Sequence, residues 1–213
     1  MRLDPPAPLL RAELRRLAGV QVSEPDAAAA FGKEIAYYLD HHLEGRDAAS
    51  LDELRERCAA VLGAGLPGPG VEPAVMRHAM LASLRFSAYP DVAPALGALR
   101  RRGLRLVVAS NWDCSLPAAL EQAGLGDAVD AVVSSAAVGV AKPGQDLFRA
   151  ALSRAGVPTS QALHVGDSVD RDVGGALGAG LRAVLIARGE NPPPETPPGV
   201  RVISHLGELA RLL

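Results

Sequence analysis

The chain has 213 residues, of which 48% are hydrophobic, and a formal net charge of −2. This is enough apolar material for one large domain, or a domain with a smaller companion, and the near-neutral balance gives no reason to expect binding to nucleic acid or an acidic membrane. Cys58 and Cys114 have no CxxC spacing, no secretory h-region is visible, and no uncharged apolar run approaches the ~18 residues of a spanning helix, so a reduced, cytoplasmic setting is expected.

The first eighty or so residues read as helical. Leu9, Leu10, Leu14 and Leu17 recur at helical spacing and stop at Gly19. Ser23 followed by Asp26 resembles a capping box ahead of Phe31, Ile35, Tyr38 and Leu39, and Ser50 with Glu53 repeats it ahead of Leu54, Cys58, Val61 and Leu62. "GAGLPGPGVEP" reads as a loop, and Val75, Met76, Ala79 and Met80 mark a fourth helix. No strand is expected in this half.

After "FSAYPDV" the pattern changes. "VAPALGALRRRG" reads as a helix and "LRLVVAS" as an apolar strand. A helix near 115–123 precedes a strand at "AVVSS". A helix over 145–155 precedes a strand at "ALHV". "DVGGALGAG" is read as helical despite its glycines, "RAVLIA" and "VRVI" as strands, and the terminus as a helix; "ENPPPETPPG" is expected to be an exposed loop. Strands alternating with helices predict a doubly wound, Rossmann-like parallel sheet. The predicted organisation is a helical module over residues 1–82 joined to an α/β domain over 83–213.

Ligands of such sheets bind beyond the carboxyl ends of the strands, and three of those ends carry polar groups. Ser110 and Asn111 follow "LVVA"; they suit an oxyanion grip, or with Asp113 they cap the next helix. Lys142, one of only two lysines with Lys33, stands between a strand region and a helix. It is placed to neutralise a phosphate or a carboxylate, or is an ordinary solvated lysine. "ALHVGDSVDRDVGGALGAG" is the strongest signal: Asp167, Asp170 and Asp172 fall within six residues after an apolar strand. Asp167 and Asp172 are able to converge on one point, and such carboxylates repel one another unless a cation intervenes. Hard oxygen ligands with room for water and phosphate suit Mg²⁺. Asp170 reads as outward-pointing or as helping to cap the helix. Gly174, Gly175 and Gly178 do not form a dinucleotide fingerprint and read as close-packing residues.

"SN" after an apolar strand, then "AKPGQDLF", then "HVGDSVDRDVGGALGAG" resembles the last three motifs of the haloacid dehalogenase superfamily, in order, across roughly Tyr89 to Arg188. The helical module resembles the cap that one subgroup inserts between its first and second motifs. The resemblance implies that Ser110 binds the transferring phosphoryl group with help from Asn111, that Lys142 balances charge, and that Asp167 and Asp172 hold Mg²⁺. Phosphoryl transfer depends chiefly on such positioning and charge neutralisation.

The family's first motif, an apolar strand ending in the nucleophilic aspartate, has no counterpart here: "MRLDPPAPLL" offers only Asp4, after no apolar strand. In the resembled fold that strand lies between those at "LRLVVA" and "ALHV", so a gap is expected in the sheet. Two explanations compete, an absent upstream segment of about fifteen to twenty residues, judged from one strand plus its turn, and a degenerate relative that binds without turnover. Three functions follow from the resemblance. They are an Mg²⁺-dependent phosphatase of a small phosphorylated metabolite, a metal-free haloacid dehalogenase, and a non-catalytic phosphate-binding protein. His41 and His42 are adjacent on a helix and make a poor metal pair; His164 reads as a hydrogen-bonded structural residue; Tyr37, Tyr38 and Trp112 read as packing residues or as lining of a substrate space.

Overall fold

A computed structural model describes residues 1–213 apart from 69 and 190–194. Pro69 of the expected 63–73 loop and residues 190–194 of the proline-rich loop therefore lie outside the described residues. The chain divides into two compact units, Met1–Ser87 and Ala88–Leu213.

The first unit is built from four helices, α1 (Pro6–Ala18), α2 (Glu24–His41), α3 (Ala48–Ala64) and α4 (Pro73–Ser83). Their apolar stripes meet in one core, where Leu10, Leu14, Ala27, Phe31, Leu54, Leu62, Met76 and Met80 are buried. Each buried leucine or phenylalanine contributes about 2 kcal/mol relative to exposure. Tyr37 and Tyr38 pack against this core, and Tyr37 stacks on His41 at 4.0 Å between ring centroids. The start of α2 is as expected, with Ser23 Oγ accepting the Asp26 N–H at 3.2 Å. The start of α3 is not. The Ser50–Glu53 spacing suggested a cap at Ser50, but Asp47 accepts the Ser50 N–H at 2.9 Å while Ser50 Oγ accepts the Asp47 N–H at 3.1 Å. This reciprocal pair begins the helix one turn earlier. The expectation of no strand in this half also fails. β1 (Arg2–Leu3) pairs antiparallel with β2 (Phe86–Ser87), and Ser87 Oγ donates to Asp4 Oδ1 at 2.7 Å. These contacts attach the residues after α4 to the first unit.

The second unit alternates α5 (Val92–Arg101), β3 (Val107–Ser110), α6 (Leu116–Gln122), β4 (Ala131–Ser134), α7 (Ser135–Val138), α8 (Gln145–Ala155), β5 (Leu163–Gly166), α9 (Gly175–Gly178), β6 (Arg182–Ile186) and β7 (Arg201–Ile203). All its strand pairs are parallel, as the βα alternation requires. Val108 and Ser110 stand opposite Val132 and Ser134, and His164 opposite Ala183. One face of the β5–β6–β7 sheet holds Val184, Ile186 and Ile203 with Leu163 and Val165 against Leu99 of α5. Phe148, Val173, Ala176, Ala183 and Leu185 form a second cluster. "DVGGALGAG" is helical as expected, but its first turn is a π-helical segment, Val169–Gly174, that runs into α9. The terminus closes as a 3₁₀ turn, Leu206–Arg211.

The parallel strands do not form one sheet. β3 pairs with β4, and β5–β6–β7 form a separate sheet, so among the described residues neither β3 nor β5 has a second strand partner. This is the interruption expected from the sequence. Its mark is partial exposure: every residue of β3 and β5 is half-buried, whereas four of five residues in β6 are buried. Parallel strands are ordinarily covered on both faces and paired on both edges.

Arg188, just past β6, ties the unit together. It donates to both carboxylate oxygens of Asp91 at 2.7 and 2.9 Å, lies over the Tyr89 ring at 4.2 Å, and shares Asp91 with the Leu206 N–H. The Arg188 hydrogen bonds outweigh burial and hold the Asp91 carboxyl down at about 2. No described helix is long and apolar enough to cross a membrane.

Candidate active site

At the carboxyl ends of β3 and β5, direct contacts join three of the residues singled out in sequence, Asn111, Lys142 and Asp172. Ser110 is the last residue of β3 and is half-buried; Asn111 follows it. Both polar atoms of the Asn111 amide are engaged with the backbone of Lys142. Nδ2 donates to the Lys142 carbonyl at 3.1 Å, and Oδ1 accepts the Lys142 N–H at 2.7 Å. A loop 31 residues away is thus fastened to the end of β3 through one side chain. The capping alternative belongs to neither Ser110 nor Asn111; Asp113, buried, accepts the Ser115 N–H at 2.7 Å before α6. Trp112 is half-buried, with its N–H on Ser135 Oγ at 3.0 Å.

So fastened, Lys142 is not a solvated surface lysine. Its side chain is 12% exposed, and Nζ donates to the Ala109 carbonyl at 3.1 Å and to Asp172 Oδ1 at 2.6 Å. The first acceptor is a backbone group of β3, on a strand that has one strand partner among the described residues. The second belongs to the segment after β5. One ammonium therefore spans the interruption between the two sheets.

Asp172 is the centre of the cluster. It is 4% exposed, and Oδ1 receives both Lys142 Nζ and His164 Nε2, the latter at 2.9 Å, while Oδ2 accepts the Ser168 N–H at 3.0 Å. Burial pushes its carboxyl pKa up, but the His164 hydrogen bond and the Lys142 charge outweigh burial and hold it far below the usual carboxylate range. Asp172 is therefore ionised at any physiological pH. Its carboxyl group lies directly over Gly166, where a Cβ would fall inside it, so glycine alone fits the end of β5. Asp167 and Asp170, by contrast, are exposed.

The glycines after the acidic loop divide by role. A Cβ on Gly175 would sit 2.7 Å from Phe148 Cε2 and 3.0 Å from the Pro143 Cα, so close packing of α9 on α8 requires it. Gly174 and Gly178 have only ordinary contacts.

Asp167 and Asp172 are the hard oxygen donors that Mg²⁺ takes, and Mg²⁺ characteristically uses one or two carboxylates with water and phosphate completing the shell. One of the pair is open to solvent and the other ionised, so donor type and charge fit. No group of three or more His, Cys, Asp or Glu residues able to hold a metal occurs among the described residues. A buried ammonium paired with a carboxylate, next to a strand that ends in serine, is suited to holding a phosphoryl group while its charge is balanced. Sequence reasoning did not find the two links that organise this cluster, Asn111 to Lys142 and His164 to Asp172. The second had a signal, an imidazole on an apolar strand eight residues ahead of the aspartate it meets.

Comparison with known proteins agrees with the motif order. The haloacid dehalogenase-like hydrolase family matches residues 7–180. The chain is 42% identical over 120 residues to the phosphoserine phosphatase of Thermus thermophilus, covering 55% of this chain and 48% of that protein. It is 32% identical over 146 residues to the pyrimidine 5'-nucleotidase YjjG of Escherichia coli, covering 67% and 65%. Its match thus spans about half the length of the first of these relatives. Among solved structures, the L-2-haloacid dehalogenase of Xanthobacter autotrophicus is similar with a TM-score of 0.70 and 26% identity, over 99% of this chain and 93% of that one. The chain belongs to the haloacid dehalogenase-like hydrolases.

Proposed function

We propose that the chain carries the phosphate- and metal-binding part of an Mg²⁺-dependent phosphatase acting on a small phosphorylated metabolite. The observation that carries this reading is the Lys142–Asp172 pair at the junction of β3 and β5, with Ser110 ending the first strand and Asp167 following the second. Ser110 binds the phosphoryl oxygens, joined by the backbone at Asn111, whose amide holds Lys142 in place. Lys142 offsets the negative charge that phosphate and carboxylates concentrate there. Asp167 and Asp172 would hold Mg²⁺, which supplies charge neutralisation of the phosphoryl oxygens when bound. The helical unit Met1–Ser87 is read as the counterpart of the family's helical cap. Phosphatases recur among the relatives, including one named as a glyceraldehyde 3-phosphate phosphatase of Methanopyrus kandleri.

The aspartyl nucleophile of this chemistry belongs at the end of a strand between β3 and β5, and the described residues place no strand there. The 213-residue chain is accordingly expected to bind without turnover. Addition at its N-terminus of an apolar strand ending in aspartate is expected to give Mg²⁺-dependent hydrolysis of p-nitrophenyl phosphate. The likeness to dehalogenase structures favours a second reading, in which the same addition releases chloride from 2-chloropropionate without metal. Phosphate release by the unextended chain, abolished in Asp167→Asn, would overturn the assignment of the nucleophile. Binding with neither turnover after extension would mark a non-catalytic relative.

A further inference from the structure

His164 lies on the face of β5 opposite Leu163 and Val165, which pack into the cluster around Leu99, Val184 and Ile186. On its own face the imidazole meets Phe148 of α8 edge-on, with 5.0 Å between centroids and 85° between planes. Phe148 is 1% exposed and is seated against the bare Cα of Gly175. The His164 side chain is 14% exposed. A nearly buried imidazole against an aromatic wall is costly unless its nitrogen is satisfied, and Nε2 is satisfied by Asp172 Oδ1 at 2.9 Å. Because that carboxylate is ionised and accepts only, Nε2 must carry the proton that forms the bond.

The consequence lies on the carboxylate. Each oxygen of an ionised carboxyl group has about two lone-pair sites. Those of Oδ1 are filled by Lys142 and His164, whereas among the described residues Oδ2 receives only the Ser168 N–H. We propose that His164 is a positioning residue. By donating Nε2–H to Oδ1 it fixes the rotation of the Asp172 carboxylate and leaves Oδ2 as the oxygen with a free lone pair for Mg²⁺. The rigid element behind it is the sequence of contacts from Gly175 through Phe148 to His164. This inference rests on the proposed Mg²⁺ site, and the sequence presented His164 only as a structural histidine.

Two measurements on the 213-residue chain test it. In metal-free buffer, long-range ¹H–¹⁵N spectra of histidine-labelled protein are expected to show His164 with Nε2 protonated, its signals moving in Asp172→Asn. A His164 protonated on Nδ1 alone, or signals indifferent to Asp172→Asn, would overturn the proposal. Calorimetric titration with MgCl₂ is expected to give binding about 10–100-fold weaker in His164→Leu than in the native chain. His164→Gln, whose amide reaches the same place as a donor, should restore most of that loss. Equal affinity in His164→Leu and the native chain contradicts the role, as does failure of the glutamine to improve on leucine. If the native chain takes no Mg²⁺, the metal reading falls, and the spectra alone decide whether His164 orients Asp172.

Discussion

Lys142→Met is expected to destabilise the α/β unit by about 3–5 kcal/mol, because it leaves the Asp172 carboxylate buried with its principal counter-charge removed. At this size the melting temperature should fall on the order of 10 °C. Asp172→Asn removes the same pair from the other side, so the double variant should lose less than the sum of the singles, by about 0.5–3 kcal/mol. Additivity across the cycle would mean that the pair is not coupled. The pH dependence has a definite sign. The folded Asp172 carboxyl lies far below its ordinary value, so the unfolded chain takes up the proton first. The stability it contributes is complete above the ordinary carboxylate range, near pH ~4, and is lost as pH falls towards the folded value. Urea unfolding in metal-free buffer should therefore show a shallower acid loss for Lys142→Met than for the native chain.

The helical unit is expected to behave in the opposite way. Glu34 is 4% exposed within α2, beside the core formed by Phe31 and Cys58. Burial pushes its carboxyl up to about 7, against a smaller lowering by a hydrogen bond to Cys58. Folding therefore favours the protonated form, so its stabilising effect is full below the ordinary value of 4.5 and declines as pH rises through about 7. The loss amounts to about 3 kcal/mol. Glu34→Gln removes the titration while keeping the shape, and above pH 8 it should unfold at higher urea than the native chain. Below pH 4 the two should converge. A Glu34→Gln difference independent of pH would show that Glu34 is ionised in the folded protein.

The features carried by periodicity were legible in the sequence. The helix Gln145–Ala155, the parallel strands and the polar groups at their carboxyl ends all follow from hydrophobic spacing and glycine stops. The interruption between β3 and β5 was legible too, as a gap that the resemblance led one to expect and that the described strands show. Features decided by competition or by packing were not. Asp47 with Ser50, and Ser50 with Glu53, have equivalent spacing, and only the backbone path selects the first. β1 has two residues, too few to carry an alternation. Asp167 and Asp172 look like equal partners in sequence, yet one is exposed and the other is held by three donors, because the π-helical turn carries Asp172 back over Gly166. Asn111 looked free to grip phosphate, and its amide is taken up by a backbone 31 residues away. Such links depend on tertiary approach, which a local pattern does not encode.

The proposed site is tested most directly by calorimetric titration of MgCl₂ into the 213-residue chain in the presence of inorganic phosphate, repeated on Asp167→Asn. The expected result is saturable one-to-one binding that depends on phosphate and is lost in Asp167→Asn, since Asp167 is the exposed carboxylate of the two while Asp172 is already paired with Lys142. Heats that are absent in the native chain, or unchanged in Asp167→Asn, would contradict the assignment of this strand-end cluster as the metal and phosphate site.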